Sequence, residues 1–157
     1  MMNDDPEANR EEREAMNVRI VNEPHASEET RQVIRDGLSM HNVAITGFSE
    51  HYPVGLFLKT DDGEVMGGLL GNIWAGWLFV DLLWIARPLR GQGHGSALLQ
   101  AAEKLGSERG CHSVMLDTLS FQAPDFYAKH GYEVFGVLDN CPTGHQRLYL
   151  RKSLAVS

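Results

Sequence analysis

Gly91, Gly93 and Gly95 alternate with Gln92 and His94 directly behind Arg90, between an apolar run and an amphipathic one. A stretch with so little side chain lets backbone approach an anion without Cβ interference. A helix starting there adds unpaired N–H donors and roughly half an elementary charge. Arg90, with Arg87 nearby, supplies full positive charge at the rim. The chemistry that uses such a turn is diphosphate binding.

Three phosphate motifs compete for it. A Walker loop needs Gly-Lys-Ser/Thr, which is absent. A dinucleotide fingerprint would read Gly91-x-Gly93-x-x-Ser96, without the third glycine. That fingerprint also opens a chain's first strand–helix unit, whereas several strand-like runs precede this turn. The third pattern, Arg/Gln-x-x-Gly-x-Gly/Ala, is met in full by Arg90-Gly91-Gln92-Gly93-His94-Gly95.

The flanking elements must position this turn. Val18 and Ile20 alternate within residues 17–22 and read as a first strand. A helix follows over 27–37, with Ser27 as N-cap and Gly37 as its stop. Residues 39–53 read as helix and loop. Two antiparallel strands flank the turn at Asp61-Asp62-Gly63. The apolar run 77–86 predicts a central strand buried on both faces. After the glycines, Ala97, Leu98, Ala101, Ala102 and Leu105 form one helical stripe, closed by Gly110. A strand over 111–118, a short helix with Pro124 in its first turn, and a strand pair around 139–144 complete the chain. The prediction is an α+β domain with a mixed, largely antiparallel sheet flanked by helices.

Bulk composition narrows the functional classes. A chain of 157 residues, 43% hydrophobic and 22% charged, fits one soluble domain. Residues 1–16 carry six acids and two arginines and are expected to be a mobile acidic extension, with the domain spanning 17–157. They hold −4 of the −7 net charge, leaving −3 for the domain. Nucleic acid is a poor partner for such a surface. No apolar run approaches the ~18–20 residues of a membrane span. Cys111 and Cys141 are the only cysteines, which suits a reducing cytoplasm and argues against a disulfide scaffold. The seven histidines fall into no metal-spaced set, so no metal is expected, and Cys141 has no partner that would activate it.

With these anchors in order over residues 17–152, the sequence resembles the GNAT superfamily of N-acetyltransferases. The glycine motif matches the turn that wraps the diphosphate of acetyl-coenzyme A in that family. Upstream, Val-Asp-Leu-Leu-Trp-Ile-Ala at 80–86 matches its acid-Leu-x-x-Val strand. Downstream, Ser120-Phe-Gln-Ala-Pro-Asp-Phe-Tyr-Ala-Lys-His-Gly-Tyr132 matches its Asn-x-x-Ala…Tyr-x-x-x-Gly-Phe/Tyr stretch, with Ser120 where the Asn often contacts the cofactor. The resemblance implies acetyl-coenzyme A as donor, held by residues 90–96, by Ser120 and Tyr127, and by main chain of Trp84, Ile85 and Ala86.

Acetyl transfer to an amine of pKa ~10.4 costs about 4–5 kcal/mol to deprotonate it at pH 7. A carboxylate, directly or through water, can take that proton. The resemblance assigns the task to Asp81, otherwise a strand carboxylate in an ion pair. The departing thiolate has a parent pKa of ~8.5, and Tyr127 is expected to protonate it. The alternative for Tyr127 is a packed aromatic with a bonded hydroxyl. In such folds the acceptor lies near Glu50, Asp117 and Asp139, with Trp74, Trp77, Phe121 and Tyr52. Acids with aromatics favour a cationic amine, such as a polyamine or an aminoglycoside antibiotic. A protein lysine or N-terminus is the alternative acceptor. A non-catalytic acyl-coenzyme A sensor and a nucleotide-binding turn remain the other classes. The resemblance also suggests a homodimer.

Overall fold

The computed structural model describes residues 18–155, so the expected acidic extension at 1–16 lies outside the described residues. The chain divides into two compact units, one ending at Ile45 and one spanning Thr46–Ser157.

In the first unit, residues 18–22 form no strand, and Val18 and Ile20 are exposed. Two alternating apolar residues are too little to hold a strand without a packed face. Helix α1 spans Glu28–Thr46. Ser27 caps it, with Oγ accepting from the Thr30 N–H at 3.1 Å. Gly37 does not stop the helix, which runs on nine residues. A mid-helix glycine costs about 1 kcal/mol against alanine, too little to end a favourable run. The stop is Gly47, at φ +73°, immediately after Thr46.

The second unit carries one six-stranded sheet. Its strands are β1 (Tyr52–Lys59), β2 (Val65–Trp74), β3 (Trp77–Ile85), β4 (Ser113–Leu119), β5 (Glu133–Asp139) and β6 (Gln146–Ser153). They lie in the order β1-β2-β3-β4-β6-β5, and only β3 and β4 pair in parallel. The parallel pair is joined by α2 (His94–Glu108), which supplies the crossover such a connection requires. The short helix α3 (Pro124–Lys129) follows β4, with proline in its first turn as expected.

One face of the sheet holds the core. Leu69, Leu78, Val114, Leu116 and Leu150 pack there with Leu99 and Ala102 of α2. Each buried leucine contributes roughly 1.5–3 kcal/mol. The buried stripe of α2 is Leu98, Leu99, Ala102 and Gly106, while Ala97 and Ala101 are exposed. The helix is thus rotated from the expected stripe so that Leu99 points inward. Both α2 and α3 end in the same motif. Gly110 and Gly131 take positive φ, and the following N–H groups of Cys111 and Tyr132 return to the carbonyls of Gly106 and Tyr127. This ending fixes the register of Tyr127 against the sheet.

Strand β3 is not buried on both faces along its length. Leu78 and Val80 are buried, whereas Asp81, Leu82 and Trp84 are exposed. The change coincides with the end of its pairing to β4.

Candidate active site

Two irregularities open a cleft in the sheet. Pairing of β3 with β4 runs from Trp77–Ser113 to Val80–Leu116 and stops, although both strands continue. On the other side, β2 pairs Leu70 with Leu82 and Gly71 with Val80, leaving Asp81 as the extra residue of a bulge. A bulge re-aims the side chain it carries. Gly71 permits it: a Cβ there would collide with the Phe79 carbonyl oxygen. Asp81 and Asp117 are therefore the first residues of β3 and β4 beyond the last paired rung.

A cleft of about 750 Å³ occupies this fork. Residues 81–85 of β3 line one arm, and Asp117 and Thr118 of β4 line the other. Leu89, Arg90, Gly91 and residues 93–96 form one end, and Phe121, Gln122, Ala123, Phe126 and Tyr127 close it. The structure thus brings Asp81, Asp117, Tyr127, Arg90 and most of the glycine turn into one space.

The turn is built for close approach. Gly91 and Gly93 have φ of +73° and +85°, with open space where a Cβ would stand. No side chain caps α2, and its first internal bond is Ala97 N–H to the Gly93 carbonyl. The N–H groups of residues 94–96 are accordingly the orphan donors of the helix start. Arg90 is oriented by its Nε, which donates to the Ile85 carbonyl at 2.9 Å, leaving its other N–H donors for an anion. These groups fit a diphosphate by charge and by donor geometry. Gln92 instead closes the turn, its Nε2 donating to the Pro88 carbonyl at 2.9 Å, and does not line the cleft.

Main-chain directions on β3 correct one expectation. The Ala86 N–H donates to Met66 O, and its carbonyl accepts from the Leu89 N–H, so both groups are already used. Along an antiparallel strand these directions alternate, so Trp84 turns its main chain toward β2 with Ala86. Leu83 and Ile85 then turn theirs into the open side of the fork. Trp84 lines the cleft, and Ala86 does not.

Tyr127 is buried, packed edge-on against Phe126 and Tyr132 at centroid distances of 5.1 and 5.9 Å. Burial, and next the charge of Asp117, push its phenol pKa above the usual tyrosine value. Among the described residues its hydroxyl makes no hydrogen bond to protein, and the residue lines the cleft. Asp117 is held by Arg147, whose Nε donates to Oδ2 at 2.7 Å. Asp81 forms no ion pair with any described residue, unlike the structural alternative considered for it.

Other expected residues lie elsewhere. Ser120 Oγ accepts the Gln146 N–H at 3.1 Å, and its own N–H donates back to Gln146, tying β4 to β6 outside the cleft. Glu50 precedes β1 and Asp139 ends β5, the two opposite edges of the sheet, so they share no site. Asp139 instead accepts from Gln146 Nε2 at 2.7 Å. Trp74 and Trp77 line a separate groove with Phe79, Met115, Phe135 and Arg151. Tyr52 lies under the Arg109 guanidinium, 3.3 Å from its ring centroid. Of the four acceptor-side aromatics, Phe121 alone reaches the cleft. Sequence reasoning missed Gln122, whose Oε1 accepts from the Leu119 N–H and Thr118 Oγ1, and Arg147, which is paired across 30 residues. The Gln122 contacts span only three and four residues but follow no motif, and no local spacing announces the Arg147 pair.

The family model for the acetyltransferase (GNAT) family matches residues 17–132. The chain belongs to this family. Acetyltransferase Atu2258 of Agrobacterium fabrum is 35% identical over 127 residues, 81% of this chain and 93% of its own. The blasticidin-S acetyltransferase of Streptomyces morookaense is 41% identical over 93 residues, 59% of this chain and 68% of its own. A crystal structure from Agrobacterium tumefaciens matches with a TM-score of 0.81 and 33% identity, covering 88% of this chain and all of that one. This GNAT protein is therefore an N-acetyltransferase with acetyl-coenzyme A as its acetyl donor. No described helix is long and apolar enough to cross a membrane.

Proposed function

We propose that this N-acetyltransferase modifies a cationic small-molecule amine, with antibiotics of the blasticidin S kind as the first acceptors to test. The observation that carries this reading is Asp81 in the fork, which forms no ion pair with any described residue, whereas Asp117 on the other arm shares its charge with Arg147. An unpaired carboxylate in a cleft lined by aromatic rings attracts a cation and disfavours an anion. The similarity to a blasticidin-S acetyltransferase supports the same acceptor class. The family match over residues 17–132 supports one catalytic domain that begins at residue 17.

In this reading the N–H groups of residues 94–96 and Arg90 hold the donor's diphosphate, and main chain of Leu83 and Ile85 holds its pantetheine arm. Bound acetyl-coenzyme A supplies the thioester acetyl group. Asp81 accepts the proton that the amine loses as its nitrogen bonds the acetyl carbon. Tyr127 gives its phenol proton to the sulfur as the carbon–sulfur bond breaks, and its raised pKa keeps that proton in place across neutral pH.

Thiol release measured over a panel of amines tests the acceptor. Polycationic amines and blasticidin S are expected to exceed neutral amino acids by about tenfold or more in kcat/KM, the scale of one charge interaction in a cleft. Preference for neutral or anionic acceptors would refute the charge argument. Turnover only on peptide N-termini or lysines would favour a protein substrate, and binding without any turnover a sensor.

A further inference from the structure

Ser96 and His130 belong to different segments, yet Ser96 Oγ and His130 Nε2 lie 2.9 Å apart in a part-buried contact. Ser96 is the third residue of α2 and lines the cleft at the glycine turn. His130 is the C-cap of α3, and its N–H donates to the Tyr127 carbonyl at 3.0 Å. The Phe126 ring reinforces the junction, standing 4.8 Å from the His130 ring and within van der Waals reach of a Cβ at Gly95.

A serine hydroxyl has one proton to give. If Ser96 donates it to His130, the hydroxyl has no proton left for an anion at the turn. If His130 Nε2 carries the proton and donates to Oγ, the Ser96 proton is released toward the cleft. The helix start beside it offers only donors and positive potential, so a diphosphate there favours the second arrangement. We infer that His130 is a positioning residue for the donor: its Nε2–H holds Ser96 Oγ and turns the Ser96 hydroxyl proton toward the diphosphate. The inference rests on residues 90–96 holding that diphosphate. It also ties the turn to the helix carrying Tyr127, since the same histidine is bonded to both.

S-acetylpantetheine, which lacks the diphosphate, separates this role from a structural one. KM and kcat are measured for both donors at saturating amine, in the wild type and in Ser96→Ala, His130→Phe, His130→Gln and the double variant Ser96→Ala/His130→Phe. His130→Phe keeps a ring against Phe126 and removes the donor. It is expected to raise the acetyl-coenzyme A KM by about tenfold, the scale of one charge-assisted hydrogen bond, with kcat within about twofold. The wild-type preference for acetyl-coenzyme A over acetylpantetheine falls by the same factor. His130→Gln, whose amide can donate, restores most of it, and the double variant is no worse than Ser96→Ala.

An equal rise in both donors' KM would make His130 merely structural, and an unchanged acetyl-coenzyme A KM would remove it altogether. If the wild type itself uses the two donors with equal KM, the diphosphate reading of the turn fails. That result is distinct from an intact preference that His130→Phe leaves untouched. Should His130→Phe not fold, as judged by thermal unfolding, His130→Gln and Ser96→Ala decide the matter. Ser96→Ala must lower the donor preference and His130→Gln must largely keep it. Any other pair of outcomes overturns the inference.

Discussion

The two halves of the cleft are made differently. In the proposed reading the donor half is mostly backbone: a glycine turn, an uncapped helix start, and main chain of Leu83 and Ile85 turned to the open side where β3 leaves β4, with the Ile85 carbonyl already accepting from Arg90. The proposed acceptor half is side chain: Asp81 on a bulge, Asp117 held by Arg147, Phe121 and Tyr127. Backbone recognition is encoded in contiguous residues, because each glycine must sit beside the next. Side-chain recognition draws on segments far apart in sequence and can change one residue at a time.

Variants can break this division. The largest expected effect is on the acceptor half: Asp81→Asn should lower kcat by about 10²-fold or more at pH 7, the range of general-base removal. An effect below threefold would return Asp81 to a structural role. Tyr127→Phe should follow, lowering kcat by about tenfold or more with acetyl-coenzyme A affinity within twofold in a binding titration. Arg90→Ala belongs to the donor half and should weaken acetyl-coenzyme A binding by about tenfold while sparing kcat. A changed kcat with unchanged affinity would invert the two halves.

A smaller shift concerns pH. Burial and Asp117 both hold the Tyr127 phenol above its ordinary value, so the alkaline fall in kcat should lie above pH 10. Asp117→Asn removes the lesser cause, so the fall moves to lower pH yet stays above the free tyrosine range. Movement in the opposite direction would mean that another group controls the limb. The smallest effect is predicted for Glu50→Gln and Asp139→Asn. Lying at opposite sheet edges, they should leave amine kcat/KM within twofold. A tenfold loss at either would move the acceptor site away from the fork.

This asymmetry also governs what the sequence disclosed. The turn at 90–96 was legible because its chemistry needs adjacent residues. The mixed, largely antiparallel sheet was legible from alternating apolar runs broken by Asp61-Asp62-Gly63 and by the glycines after α2 and α3. Strand 17–22 and the stop at Gly37 failed because local pattern outweighed the packing and capping that decide an element's ends. Burial of β3 on both faces failed because an apolar run cannot show where its neighbour departs. Ser120 was placed by register with a motif, but its oxygen is taken by Gln146, a contact made across 26 residues. Asp117 and Arg147 form the same kind of pair, set by the β4–β6 register rather than by spacing along the chain.

The central claim is that the fork exposes main-chain groups of β3 to the acetyl donor. Amide hydrogen exchange, with and without acetyl-coenzyme A, tests it most directly. Leu83, Ile85 and residues 94–96 should gain protection on binding, whereas Ala86, already bonded to Met66, should change little. Protection at Ala86 and Trp84 with none at Leu83 and Ile85 would contradict the account.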